Sequence, residues 1–191
     1  MLKYRRILRA SAQRIANAAN RVVDFEIGGV HWTAKTLTSQ GNRAQEKTFG
    51  ADFLGVLHLD LPEYVVRKGF LAQAKLADGW SRTSQAEWDR MIGQCKKMLS
   101  LTPASFVFVY STTGITVIPA IAIISATDRC PLSSFYSSRL SRFYENHFKS
   151  FIGDMRLSEA SIGVLEDLAV EKGLLLEAHT TELELRKRLS A

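Results

Sequence analysis

Only two cysteines, Cys95 and Cys130, occur in the 191 residues of this chain. They form neither a zinc-ligand spacing nor a disulfide framework, and such sparse use points to a reducing cytosol. No apolar run approaches the length of a membrane span, and no secretory signal pattern is present. The longest apolar region, 115–124, is interrupted by Pro119 and reads as a buried strand. There is no glycine-rich phosphate loop to support an ATPase, and no nucleophile elbow to support acyl chemistry. The four histidines (His31, His58, His147 and His179) show no ligand spacing and are read as packing or surface residues. Acidic residues are missing from the start of the chain: Asp24 is the first.

The basic residues are plentiful. Lysine and arginine number 25 against 19 acids, giving a formal charge of +6 and a sequence pI near 9.5. That balance favours a polyanionic partner. The charge is clustered: Lys3, Arg5, Arg6, Arg9, Arg14 and Arg21 come first, then Arg82, Arg90, Lys96 and Lys97, and later Arg139, Arg142, Lys149 and Arg156. Such a surplus can neutralise phosphates in a largely sequence-blind manner, although each cluster alone is equally a solvated surface. With 46% hydrophobic residues, a chain of this length can bury one core.

Two apolar runs carry the chemistry. Gly50-Ala51-Asp52-Phe53-Leu54 opens the first, and Gly69-Phe70-Leu71-Ala72-Gln73-Ala74-Lys75 closes the second, with Pro62 and Glu63 between them. A hairpin centred between residues 63 and 64 would set Asp52 opposite Lys75, while Gln73 and Lys75, two apart, share a face. A carboxylate, an amide oxygen and an ammonium then gather on one sheet surface. That trio suits a hard divalent cation such as magnesium, which takes oxygen ligands and keeps several waters. Asp60 and Glu63 lie near the reversal and are read as turn chemistry.

The Ala51-Asp52 and Gln73-Ala74-Lys75 arrangement resembles the PD-(D/E)xK, or restriction endonuclease-like, superfamily, in the Gln-x-Lys branch typified by Mrr-type restriction enzymes. The resemblance spans about two-thirds of the chain and implies an α/β fold, a central mixed sheet flanked by helices. It implies a divalent-metal-dependent phosphodiesterase acting on DNA, with magnesium or manganese, in a bacterial restriction or antiviral setting. Asp52 and Gln73 would be metal ligands and Lys75 the water-positioning residue. A third acidic ligand is expected. Glu46 is preferred and Glu26 is the alternative. Arg82, Arg90, Gln94 and Lys97, on or beside the helix after the Gln-x-Lys strand, would approach the nucleic acid. A non-catalytic subunit that keeps the fold and binds nucleic acid or a partner protein is the rival reading, because Gln73 replaces the usual carboxylate.

Periodicity and breakers supply the rest. Residues 2–20 read as an amphipathic basic helix; the same pattern describes an organelle transit peptide, but a folded first helix fits the implied core. Strands are expected at 31–38, 51–59, 68–76, 105–110 and 114–124. A helix capped by Ser84, with Glu87 three residues on, should run from 84 to about 99. Residues 132–150 read as an aromatic-rich helix and 158–190 as two helices. The chain therefore divides into a nuclease domain, 1–152, and a helical C-terminal extension, 153–191, that docks on its own domain or on another chain. Too short for a separate target-reading domain, the protein is expected to be cytoplasmic and to work as a homo-oligomer or with a partner subunit.

Overall fold

A computed structural model describes residues 4–18, 23–38, 50–76 and 84–180. Its centre is an eight-stranded mixed sheet in the order β1-β2-β8-β3-β4-β5-β6-β7. The strands are β1 (Val23–Ile27), β2 (Val30–Thr38), β3 (Phe53–Leu61), β4 (Tyr64–Leu76), β5 (Ser105–Ser111), β6 (Gly114–Pro119), β7 (Ser138–Arg139) and β8 (Lys172–Thr180). The helices are α1 (Arg5–Ala18), α2 (Gln85–Leu101), α3 (Ala120–Ile124), α4 (Leu140–Phe148) and α5 (Ile162–Asp167). β3 runs parallel to β8, and β4 parallel to β5; the other neighbours are antiparallel. Parallel neighbours need a crossover, and α2 supplies it between β4 and β5.

Two apolar layers sandwich the sheet. On one face, Leu57, Leu59, Phe70, Phe106 and Phe108 pack under Leu8, Ala12 and Ile15 of α1 and Phe143, Tyr144 and Phe148 of α4. On the other, Leu54, Val56, Leu71, Val107 and Val109 meet Trp88, Met91, Cys95 and Met98 of α2, Ile123 of α3 and Leu165 of α5. Strands covered on both sides need apolar residues at every position, and β4 is buried without a break from Lys68 to Gln73. The buried stripe of α1 leaves Arg5, Arg6, Arg9 and Arg14 exposed, so the first segment is a folded amphipathic helix. Ser84 caps α2 with the expected box: its hydroxyl accepts from Glu87 N–H, and the Glu87 carboxylate accepts from Ser84 N–H.

Four expectations change. The β3–β4 hairpin turns at Pro62-Glu63, with Glu63 at φ 64°, so Phe53 pairs with Ala72 and the register lies two residues from the expected one. A slip of two keeps every side chain on its face, as one of one residue would not. Asp60 is part of β3, opposite Val65, and is not turn chemistry. Within 132–150 only α4 is a long helix; a 3-10 turn (Leu132–Ser134) and β7 precede it, and residues 120–124 are α3 instead of more strand.

The largest correction concerns the C-terminal part. Its described portion, to residue 180, keeps one short helix, α5, where two were expected: Lys172–Thr180 is a strand lying within the sheet, paired with both β2 and β3. Leu176, Glu177, Ala178 and His179 alternate between the apolar layer and the opposite face, the period of a strand. Residues beyond 152 thus complete the sheet begun by those before it.

Candidate functional site

The site lies where the start of β3 meets the C-terminal half of β4 beneath α2. Chain direction there depends on Gly50. Its φ is +75°, and a Cβ at this position would stand 2.6 Å from the Gln94 carbonyl oxygen. Only glycine permits that approach to the helix backbone. The next turn of chain delivers Asp52, whose N–H donates to the Ala72 carbonyl at 2.8 Å. Asp52 therefore stands across from Gln73, with Lys75 two residues farther along the same face.

Asp52 and Gln73 are in contact. The Gln73 amide nitrogen donates to Asp52 Oδ2, which also accepts the Ala74 N–H at 2.7 Å. Gln73 is only 3% exposed, and its other end, Oε1, is buried with no hydrogen-bond partner among the described residues. An orphaned buried amide oxygen costs about 1–3 kcal/mol. Turned about its last bond, the amide would set this neutral oxygen beside the carboxylate, a donor pair of the kind a magnesium-class ion selects. Lys75 is half-buried and donates from Nζ to Gln94 Oε1 at 2.9 Å. Gln94 thus fixes the lysine head from the helix side.

Arg90 and Lys97 are exposed on α2, on the same side of the sheet as Asp52. The exposed arginines of α1 lie on the opposite face, since α1 packs with the other apolar layer. Of the later basic residues, Arg142 and Lys149 pair with Glu145, and Arg156 with Asp154. Among the described residues, α2 thus adds exposed positive charge on the side of the sheet that carries Asp52 and Lys75. Cys95, next to Gln94, is inert: burial pushes its thiol up to about 12, against a smaller opposing pull from Lys75.

Glu46 and Arg82 lie outside the described residues. Glu26 is placed, and not at the site. It lies on β1, three strands from β3 and in the same cross-strand row as Asp60. At about 3.3 Å per residue and 4.8 Å per strand, that is ~30 Å from Asp52. Among the described residues no three His, Cys, Asp or Glu side chains converge on one point.

A second polar group, which sequence reasoning missed, occupies the far end of this same face. Glu26, His31, His179 and Asp60 stand in register across β1, β2, β8 and β3. In the next row are Asp24, Thr33, Glu177, His58 and Arg67. Three histidines 27 to 148 residues apart in sequence become neighbours only through the strand order.

Compared with known proteins, the chain matches no family model, no curated protein and no solved structure. What it does must be argued from its own residues.

Proposed function

We propose that the protein is a metal-dependent nuclease of restriction endonuclease-like type, hydrolysing phosphodiester bonds of DNA with magnesium or manganese. The observation carrying this is the contact of Asp52 with Gln73, two residues along the strand from Lys75. A divalent cation held there would lend positive charge to the phosphoryl group and lower the pKa of its bound water. Asp52 would hold it with a carboxylate oxygen and Gln73 with Oε1. Turning the Gln73 amide about its last bond exchanges Nε2 for Oε1 at almost the same positions, so the donor end can face Asp52 in one state and the oxygen the ion in the other. The Lys75 ammonium, braced by Gln94, would orient the attacking water and offset charge as the phosphoryl oxygens become more negative. Arg90 and Lys97 would position the phosphate backbone, with no direct reading of bases. Glu46, six residues before Asp52, is the proposed further carboxylate.

A cleavage assay on plasmid DNA tests the reading. Wild type should cut with magnesium or manganese, and Asp52→Ala and Lys75→Ala should each lose at least a hundredfold in rate while folding normally. Gln73 also supports a second reading, since one negative charge fewer weakens metal binding: a non-catalytic subunit that binds nucleic acid or a partner. Salt-sensitive DNA binding with no cutting in either metal would favour that alternative and refute the enzyme.

A further inference from the structure

The row Glu26, His31, His179 and Asp60 lies at the other end of the sheet face, away from Asp52, and nothing in the nuclease reading uses it. His31 and His179 are directly opposed on the antiparallel β2–β8 pair, with ring centres 5.1 Å apart. Two imidazoles bound to one tetrahedral zinc have ring centres about 5 Å apart, given Zn–N bonds of about 2.0–2.1 Å. His31 Nε2 lies 3.3 Å from Asp24 Oδ1. Donor atoms around such an ion are also about 3.3 Å apart, from the same bond lengths. Asp60 stands beside His179 on β3, where a carboxylate can orient a ligating imidazole. His58 is otherwise engaged: its Nε2 is 2.7 Å from the Ser158 carbonyl oxygen.

We propose that His31 and His179 of this row, with Asp24 of the next, form a zinc-class metal site, with water in the fourth position and Asp60 orienting His179. Because three such side chains do not already converge among the described residues, binding requires the rings to turn about their side-chain bonds. The backbone is fixed by the register and needs no change. The ion would join β1, β2 and β8, tying the edge hairpin to the centre of the sheet. Imidazole donors select zinc over magnesium, whereas the Asp52 site offers only oxygens. The two sites thus differ in the ion they take, and this inference stands whether or not the protein cuts DNA.

Calorimetric titration of the full chain with zinc chloride, in millimolar magnesium, tests it. Wild type should take up zinc with an affinity that His31→Gln and His179→Gln each weaken at least tenfold, and Asp24→Asn severalfold. Asp52→Ala should leave zinc affinity unchanged. Zinc should raise the melting temperature of wild type but not of His31→Gln, because a ligand bound only to the folded state stabilises it. No uptake by wild type, wild-type affinity in both glutamine variants, or a loss confined to Asp52→Ala would overturn the site. Circular dichroism of each variant separates lost binding from lost fold.

Discussion

Lys68 should make the protein less stable than methionine would at the same position. It sits in the middle of β4, 3% exposed, and its Nζ finds no hydrogen-bond partner among the described residues. Gly153, at φ +116°, closes over it: a Cβ there would stand 2.8 Å from Lys68 Cδ and 3.1 Å from the His147 ring. Burial lowers the Lys68 pKa from 10.5 to about 8. The difference is worth about 3 kcal/mol. The sign follows from which state holds the proton. Below pH 8 both folded and unfolded chains carry it, and the whole cost of burying the charge falls on the folded state. From about pH 8 to 10.5 the folded chain has released the proton while the unfolded chain retains it, so stability rises with pH. Lys68→Met, which keeps an unbranched apolar stem, should therefore raise the unfolding free energy at pH 7 by about 4 kcal/mol, about 3 from the buried charge and about 1 from the unpaired amine. By pH 10.5 the gain should shrink to about 1 kcal/mol, the residue of an unpaired neutral amine. Urea unfolding of both proteins between pH 7 and 10.5 measures this. A variant less stable than wild type at pH 7, or a difference independent of pH, would refute the reasoning.

His147, fully buried against Phe70 and Phe143, should make the fold acid-sensitive. Desolvation first, and the nearby Lys68 charge second, lower its pKa to about 3; the unfolded chain binds a proton below about pH 6.5 and the folded chain does not, so about 5 kcal/mol is lost between pH 6.5 and 3. Urea titrations over that range should show a steep loss in wild type and a shallower one in His147→Gln; equal slopes would dismiss His147 as the cause. Gln94→Leu should remove the brace on Lys75 and lower cleavage about tenfold with metal affinity unchanged, as expected of a residue acting through another; wild-type turnover would show that the hydrogen bond is idle.

Parity made the site legible, and distance along the chain hid the rest. Asp52, Gln73 and Lys75 could be placed together because a hairpin relates nearby residues, and an even error in its centre leaves faces unchanged. Gly50 was readable as part of the same stretch, though its reason, the passage against the Gln94 backbone, is tertiary. β8 was misread because Leu174, Leu175 and Leu176 in succession imitate a helical apolar stripe. The strand signal, alternation from 176 to 179, covers only four residues. Its insertion between β2 and β3 follows from burial of both faces, which no local pattern encodes. The histidine row was hidden for the same cause. Lys68 was invisible for another: within Arg67-Lys68-Gly69 it reads as a polar strand start, and its burial comes from segments distant in sequence, among them His147 and Gly153.

Gln73 gives the first site a property that a glutamate there would not. Two carboxylates in contact repel unless a cation or proton lies between them, and one of them ordinarily takes up a proton. Asp52 with Gln73 forms a hydrogen bond instead, and Ala74 N–H adds a second. The strand ends thus assemble around a single negative charge without an ion, and the price is a buried Oε1 that nothing else satisfies. Binding a cation would exchange the amide hydrogen bond for two oxygen contacts, but would turn the Nε2 donor into the buried position that Oε1 now holds. The arrangement therefore favours an ion that binds weakly and reversibly over one held permanently. At the far end of the same face the balance is reversed: two imidazoles flanked by carboxylates offer softer nitrogen donors beside more negative charge. One sheet surface thereby presents two chemically distinct ends, and Leu54, Val56 and Leu71, packed beneath α2 and α5, keep them apart.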